Sequence, residues 1–179
     1  MKKITSEMTN LFFSYTLHNI RKELKKMKLA TLCYIQGDNK TLLLHRIKKK
    51  NDVHKGLWIG LGGKLEDGES PEDCVKREVK EESGLIIKKP KLRGIMTFPK
   101  FKDNEDWHVF LYTANEFYGE IIESDEGVLK WVENNKVLDM PTWEGDLIFL
   151  KWLLEDRGMF SAKFIYENKK LMAHEVTFH

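Results

Sequence analysis

Three glutamates, Glu78, Glu81 and Glu82, crowd into one stretch whose pattern is helical. At about 100° per residue, Glu82 falls about 40° to one side of Glu78 and Glu81 about 60° to the other. The spacing predicts three carboxylates on one helical face. Lys76, Lys80, Asp73 and Glu72 gather on roughly the opposite face, and Val75 and Val79 lie on a flank between the two. The glutamate face then looks toward the protein body or a cleft rather than toward water. Such a face is unfavourable by itself. Like charges within a turn repel, and Glu81 and Glu82 sit at the negative end of the helix dipole, each misplacement costing ~0.3–1 kcal/mol. Arg77 can pair with Glu81 at i, i+4, but one arginine does not neutralise three carboxylates. A divalent cation meets the remaining demand. Mg²⁺ takes hard oxygen ligands, keeps several waters and is completed by substrate phosphates. The competing reading, a helix with a solvated acidic stripe, leaves the signals around the helix unexplained.

Those signals define the elements that must position the carboxylates. Ser70-Pro71-Glu72-Asp73 reads as a helix start, with a serine N-cap and proline at the first position. Gly84 reads as its stop. Ahead of it lies the glycine-rich stretch Gly56–Gly63, whose Gly62-Gly63 pair can aim a backbone group at a ligand. It is not a P-loop, since GxxxxGK[ST] is missing, and Leu65 occupies the last glycine position of a GxGxxG pattern. Lys28–Gln36 and Thr41–Ile47 read as a hairpin about Gly37-Asp38-Asn39. Leu85–Phe98, Trp107–Thr113 and Val128–Val132 read as strands, and Gly145–Glu155 as a second helix. Phe160–Tyr166 and Leu171–Phe178 read as a closing hairpin about residues 167–170. Strands interleaved with two helices, without regular βαβ spacing, predict an α+β chain: a mixed sheet in a sandwich.

The chain of 179 residues is 41% hydrophobic, enough for one domain with a real core. Its Lys+Arg total of 30 against 28 Asp+Glu leaves a net charge of +2, which disfavours a nucleic-acid surface. Apolar runs such as Leu85-Ile86-Ile87 fall far short of a membrane span. Cys33 and Cys74 have no CxxC spacing and predict neither a disulfide framework nor a zinc site; reduced, buried thiols fit a cytoplasmic location. Residues 1–27 differ in character. Phe13, Leu17, Ile20, Leu24 and Met27 form an amphipathic stripe, which predicts an N-terminal extension packed on a domain spanning 28–179, with a membrane-surface helix as the alternative. Codons for Arg21-Lys22-Glu23 can also spell a bacterial ribosome-binding sequence ahead of Met27, so Met27 is a second candidate start. Monomer and homodimer are equally open.

Gly63, Glu69, Arg77-Glu78-Val79, Glu81-Glu82 and Gly84-Leu85 together resemble the complete signature of the Nudix hydrolases, nine fixed positions over 23 residues. The resemblance implies an α/β/α sandwich and divalent-metal-dependent cleavage of a nucleoside diphosphate linked to another group. It further implies that the Gly63 carbonyl, Glu78, Glu81 and Glu82 bind metal. Glu78 becomes a candidate base for the attacking water, with Glu81 open as another, and Arg77 and Glu69 orient the carboxylates by ion pairing. Mg²⁺ is the expected ion, with Mn²⁺ as a substitute.

A closer resemblance runs over roughly residues 28–176. Trp107-His108-Val109-Phe110, Glu123-Ser124-Asp125-Glu126, Trp131, Asp139-Met140 and the terminal hairpin are similar to the MutT-like 8-oxo-dGTP diphosphatases. This implies that Glu126 is a further metal ligand or base, that Trp143 stacks on a purine and that Asp146 hydrogen-bonds the base edge. Trp143 also reads as a core or rim tryptophan, and Asp146 as a first-turn helix residue. Two positions depart from the pattern: Ile59 stands where several relatives carry a base-reading asparagine, and Gly145 where the animal enzymes carry a second aspartate. The implied reaction is hydrolysis of a modified purine nucleoside triphosphate, such as 8-oxo-dGTP, to monophosphate and pyrophosphate in nucleotide-pool sanitation. The alternatives are hydrolysis of ADP-ribose or a dinucleoside polyphosphate, and a binding module of the same fold without turnover. His108 reads as structural, His45, His54 and His174 show no metal spacing, and Lys48-Lys49-Lys50 reads as a solvated loop or a steering patch for a triphosphate.

Overall fold

The structure, a computed structural model, describes residues 27–179. The amphipathic stretch expected over 1–27 lies outside the described residues except for Met27, which opens the first strand. Ten strands run in chain order: β1 Met27–Gly37, β2 Lys40–Arg46, β3 Trp58–Ile59, β4 Ile86–Lys88, β5 Lys91–Lys102, β6 Glu105–Ala114, β7 Glu116–Tyr118, β8 Gly127–Glu133, β9 Phe160–Glu167 and β10 Lys170–Phe178. Two α-helices, α1 Pro71–Ser83 and α2 Glu144–Leu154, and one 3₁₀ turn, Asn134–Asp139, complete the described elements.

The main sheet is ordered β10-β9-β5-β6-β1-β2-β3, with β8 also paired to β2. It is mixed: β1 runs parallel to β6 and β5 parallel to β9, while the hairpin neighbours run antiparallel. Three of the tight turns are two-residue loops with both residues at positive φ: Asp38-Asn39, Asp103-Asn104 and Asn168-Lys169. Each places an asparagine where the twist of the flanking strands calls for left-handed backbone.

Both faces of the sheet are covered, and the strand period of two explains how. Along β1, Cys33 and Ile35 face one side and Tyr34 the other; along β2, Leu42 and Leu44 oppose Leu43. The first set packs with Val75 and Val79 of α1, and the second with Phe149, Leu150, Trp152 and Leu153 of α2. This is the expected α/β/α sandwich. Cys33 and Cys74 are free and buried.

The pairing of β1 with β2 is confined to their tip, from Ile35–Leu42 to Gly37–Lys40. Beyond it the two strands diverge, and residues 58–64 fill the gap. Trp58 and Ile59 pair with β2. Leu61 exchanges backbone hydrogen bonds with Cys33, and Thr31 N–H donates to the Gly63 carbonyl at 2.8 Å. The glycine-rich stretch is therefore held from both sides by the sheet.

Some expected boundaries change. Leu85–Phe98 is two strands, not one, because Pro90 and a left-handed Lys89 (φ 45°) break the run between β4 and β5. β4 leaves the main sheet and pairs with β7, a strand too short for its pattern to be read.

Candidate active site

Helix α1 starts and stops where its sequence signals stand. The Ser70 hydroxyl accepts from the Asp73 N–H, and Gly84 adopts left-handed φ of 76°. These caps fix the rotation of the helix against the sheet. Val75 and Val79 point into the core, and Glu82, on the same side of the wheel, is buried with them, 7% exposed. Glu81 lies about 130° from the middle of that buried arc. Its side chain is 61% exposed. The three glutamates thus do not share one sheltered face: Glu82 is inside, Glu78 lies at the cleft edge and Glu81 faces water. Glu72 also differs from the solvated-face expectation, since its carboxylate accepts from the Tyr112 hydroxyl at 2.9 Å.

Arg77 organises the acidic residues. Its Nε and Nη2 donate to the two oxygens of Glu69, at 2.8 and 2.9 Å. Nη1 donates to Glu78 at 2.8 Å and to Glu81 at 3.3 Å, and Nη2 also reaches the Lys64 carbonyl at 3.1 Å. The Arg77 hydrogen bonds, helped by the Glu66 N–H, hold the Glu69 carboxyl down at about 2. Burial pushes the Glu82 carboxyl up to about 7, against the pull of the Gly62 N–H, which donates to it at 2.8 Å, and of the Arg46 charge.

The glycines are sterically required. A Cβ on Gly63 would overlap the Glu78 carboxylate, and one on Gly62 (φ 151°) would overlap the Thr31 carbonyl. The bare backbone lets the Glu78 carboxylate lie against the loop. The Gly63 carbonyl accepts from the Thr31 N–H at 2.8 Å and, more weakly, from the Cys74 thiol at 3.7 Å.

A second group of cations enters from β2 and the loop after it. Arg46 Nε donates to Asp52 at 2.7 Å, while Nη1 pairs with Glu126 and stands 3.5 Å from Glu82. Lys49 also pairs with Glu126. Among the described residues no three His, Cys, Asp or Glu side chains draw together into a metal cage. Glu78 is turned to Arg77, and Glu82 and Glu126 to Arg46. The donor chemistry nevertheless fits a hard divalent cation. The oxygens of Glu78, Glu82, Glu126 and Gly63 belong to one region with no nitrogen or sulfur ligand, and carboxylates outnumber the arginines and lysine that pair with them.

These residues border a cleft of about 600 Å³, the size of a small-ligand site. At one end its walls include Gly62, Gly63, Glu78, Glu126, Arg46 and Lys49. The other end is lined by Ile59, Phe98, Phe101, Trp143, Asp146 and Tyr166. Glu69, Arg77, Glu81 and Glu82 stand behind or beside this lining rather than in it.

Trp143 caps the start of α2 and is only 7% exposed. Its indole N–H donates to His54 Nδ1 at 2.8 Å. His54, Phe101 and Tyr166 all stand edge-on to it, with ring centroids 5.9, 5.4 and 5.4 Å away. The ring is packed at steep angles against these three rings and also lines the cleft. The Tyr166 hydroxyl accepts from the Gly145 N–H at 2.7 Å. A Cβ at position 145 would lie 2.6 Å from that hydroxyl, which is a steric reason for glycine there. Asp146 lies in the first turn of α2 but is buried, with Thr142 donating to it at 3.3 Å; burial pushes its carboxyl up to about 7. Ile59 contributes an apolar wall.

Sequence reasoning missed His54, Phe101, Tyr166 and Arg46. They come from a loop and separate strands, so no spacing joins them. His45 stacks on Trp58 with ring centroids 4.4 Å apart, and His108 Nδ1 lies 3.3 Å from the Thr97 hydroxyl.

Known proteins resemble this chain in sequence and in fold. The NUDIX domain family model matches residues 26–153. An uncharacterised Nudix hydrolase, YvcI of Bacillus subtilis, is 34% identical over 145 residues, covering 78% of this chain and 87% of its own length. The oxidised purine nucleoside triphosphate hydrolase of Danio rerio is 31% identical over 73% of this chain and 81% of its own. The ADP-ribose pyrophosphatase of Methanocaldococcus jannaschii is 42% identical, over 44% of this chain and 48% of its own. The crystal structure of a MutT protein from Bacillus halodurans superposes with a TM-score of 0.75 at 31% identity, over 83% of this chain and 97% of that one. The chain belongs to the Nudix family and is a hydrolase of phosphoanhydride bonds. Within the family it falls in the MutT-like group. No helix among the described residues is long and apolar enough to cross a membrane.

Proposed function

We infer that the protein hydrolyses a purine nucleoside triphosphate, with oxidised purines such as 8-oxo-dGTP as the leading substrates, to the monophosphate and pyrophosphate. The observation that carries this reading is the continuity of one cleft from a charged end, with Glu78, Glu126, Arg46 and Lys49, to an aromatic end. Nucleotides have the same polarity, a polyanion at one end and a flat apolar base at the other. The fit to oxidised purine hydrolases from animals supports the base assignment; the shorter match to an ADP-ribose pyrophosphatase supports a second reading, hydrolysis of another nucleoside diphosphate derivative.

Glu78, Glu81, Glu82, Glu126 and the Gly63 carbonyl would hold Mg²⁺, or Mn²⁺ in its place. When bound, the ion neutralises the phosphates and lowers the pKa of a coordinated water. Glu78 would take the proton of the attacking water, its carboxylate oriented by Arg77, which Glu69 in turn holds by both oxygens. Arg46 and Lys49 present positive charge toward the phosphates. Trp143 offers an aromatic face to the base, and stacking of this kind is worth ~1–3 kcal/mol per base in single-strand complexes. Asp146, whose carboxyl burial raises to about 7, can donate to a base edge in its protonated form. Removing oxidised nucleotides in the cytoplasm, before they enter DNA, is the corresponding cellular role.

The test is a panel of nucleotides with saturating Mg²⁺: oxidised and canonical triphosphates, ADP-ribose and dinucleoside polyphosphates. The reading expects the highest kcat/KM on an oxidised purine triphosphate. A preference for ADP-ribose would move the assignment to the second reading.

A further inference from the structure

His54 lines the cleft and hydrogen-bonds the tryptophan of its aromatic end. It comes from the loop between β2 and β3 and lines the aromatic end. Its Nδ1 lies 2.8 Å from the indole nitrogen of Trp143. Indole N–H is a donor with no acceptor capacity, so Nδ1 must be the acceptor. A neutral imidazole that accepts at Nδ1 carries its proton on Nε2. The residue stays neutral near pH 7, since burial and the nearby Arg46, Lys102 and Lys169 charges hold it down to about 4, against the opposing pull of Asp52. Among the described residues His54 uses its backbone and Nδ1 in hydrogen bonds and its ring against Phe101 and Trp143, and no hydrogen bond engages Nε2. A fixed donor on Nε2, pointing away from the indole that Nδ1 accepts from, therefore belongs to a residue lining the same cleft as Trp143.

We propose that His54 is a specificity-determining residue, whose Nε2–H, fixed by Trp143, selects purines that offer it a carbonyl oxygen and disfavours those that present an amino group there. The inference rests on the aromatic end being the base site. An oxo group accepts this hydrogen bond; an exocyclic amino group sets donor against donor. Discrimination is strong in such a case because the buried polar partner is left unpaired with the wrong ligand.

Two pairs of monophosphates test this without turnover, by quenching of tryptophan fluorescence: inosine against adenosine monophosphate, which differ at the 6-position, and 8-oxo-adenosine against adenosine monophosphate. The wild type is expected to bind at least one oxo member about tenfold more tightly. His54→Phe keeps a flat ring without the donor and should abolish that preference. His54→Gln both accepts from the indole and donates, and should restore part of it. Nitrogen-15 NMR of the imidazole should report proton on Nε2 in the wild type and mixed tautomers in Trp143→Phe. A His54→Phe protein that is folded and keeps the full preference, a wild type without preference in either pair, or a wild-type proton on Nδ1 would each overturn the proposal. Failure of the base-site reading looks different: no purine monophosphate then changes the fluorescence at all.

Discussion

The guanidinium of Arg77 grips the Glu69 carboxylate in a two-point fork, Nε to one oxygen at 2.8 Å and Nη2 to the other at 2.9 Å. The same cation reaches Glu78 with its remaining nitrogen. The fork is planar, so it orients Arg77, and Arg77 orients Glu78. Lysine supplies the charge without the fork. Arg77→Lys should therefore lower kcat about 10- to 100-fold while the protein remains folded, the usual cost of losing an outer partner of a metal-binding group. Steady-state kinetics beside thermal unfolding checks this; an unchanged kcat would assign Arg77 to stability alone.

Glu81 and Glu82 differ in burial, and their variants should separate accordingly. Glu81→Gln and Glu82→Gln should each cut turnover by orders of magnitude, since both are expected to hold the ion. Isothermal titration with Mn²⁺ should show weakened binding in both. Only Glu82→Gln should alter stability, because only its carboxylate is buried against the Gly62 amide and Arg46. Unchanged turnover in both variants would remove the metal assignment.

Trp143→Ala should raise KM for purine triphosphates with little change in Mn²⁺ affinity, because the ring packs against His54, Phe101 and Tyr166 rather than against Glu78 or Glu126. An equal effect on pyrimidine and purine substrates would count against base stacking.

Asp146 and His54 should tilt stability with pH in opposite directions. Burial raises the Asp146 carboxyl from an ordinary 3.8 to about 7, so its contribution is full below 3.8 and lost as pH rises through 7. His54 falls from 6.5 to about 4, so its contribution is full above 6.5 and lost as pH falls toward 4. Urea unfolding between pH 4 and 7.5 should show Asp146→Asn gaining on the wild type as pH rises. His54→Phe should gain on the wild type as pH falls. Parallel pH profiles for all three proteins would refute the assignment of these groups.

Gly145→Ala should destabilise the protein by about 1–3 kcal/mol, the range for overpacking, because the new methyl meets the Tyr166 hydroxyl. Tyr166→Phe removes that hydroxyl, so the double variant should lose less than the sum of the two singles. Simple additivity in urea unfolding would show that the two positions do not interact.

Much of this molecule was legible in its residues. The two caps of α1 and the turns at Asp38-Asn39 and Asn168-Lys169 are local signals, and the structure follows them. The carboxylate helix was legible as a motif but not in its burial. A wheel centred on Glu78 groups Glu81 with Glu82, whereas packing is centred near Val75 and Val79 and divides them. The aromatic end was half legible. Trp143 and Asp146 stand out through resemblance, but His54, Phe101 and Tyr166 join them only after a loop, β5 and β9 meet in space. Gly145 read as a lost side chain, while the fold gives the volume to the Tyr166 hydroxyl. Long-range neighbours of this kind leave no spacing in a sequence.

If the acidic end cuts a phosphoanhydride of a nucleotide whose base lies at the aromatic end, phosphorus NMR of the purified protein with 8-oxo-dGTP and saturating Mg²⁺ should show monophosphate and pyrophosphate in equal amounts, with both products absent when Mg²⁺ is chelated. Release of orthophosphate with a diphosphate, or an uncut triphosphate in both Mg²⁺ and Mn²⁺, would overturn this chemistry.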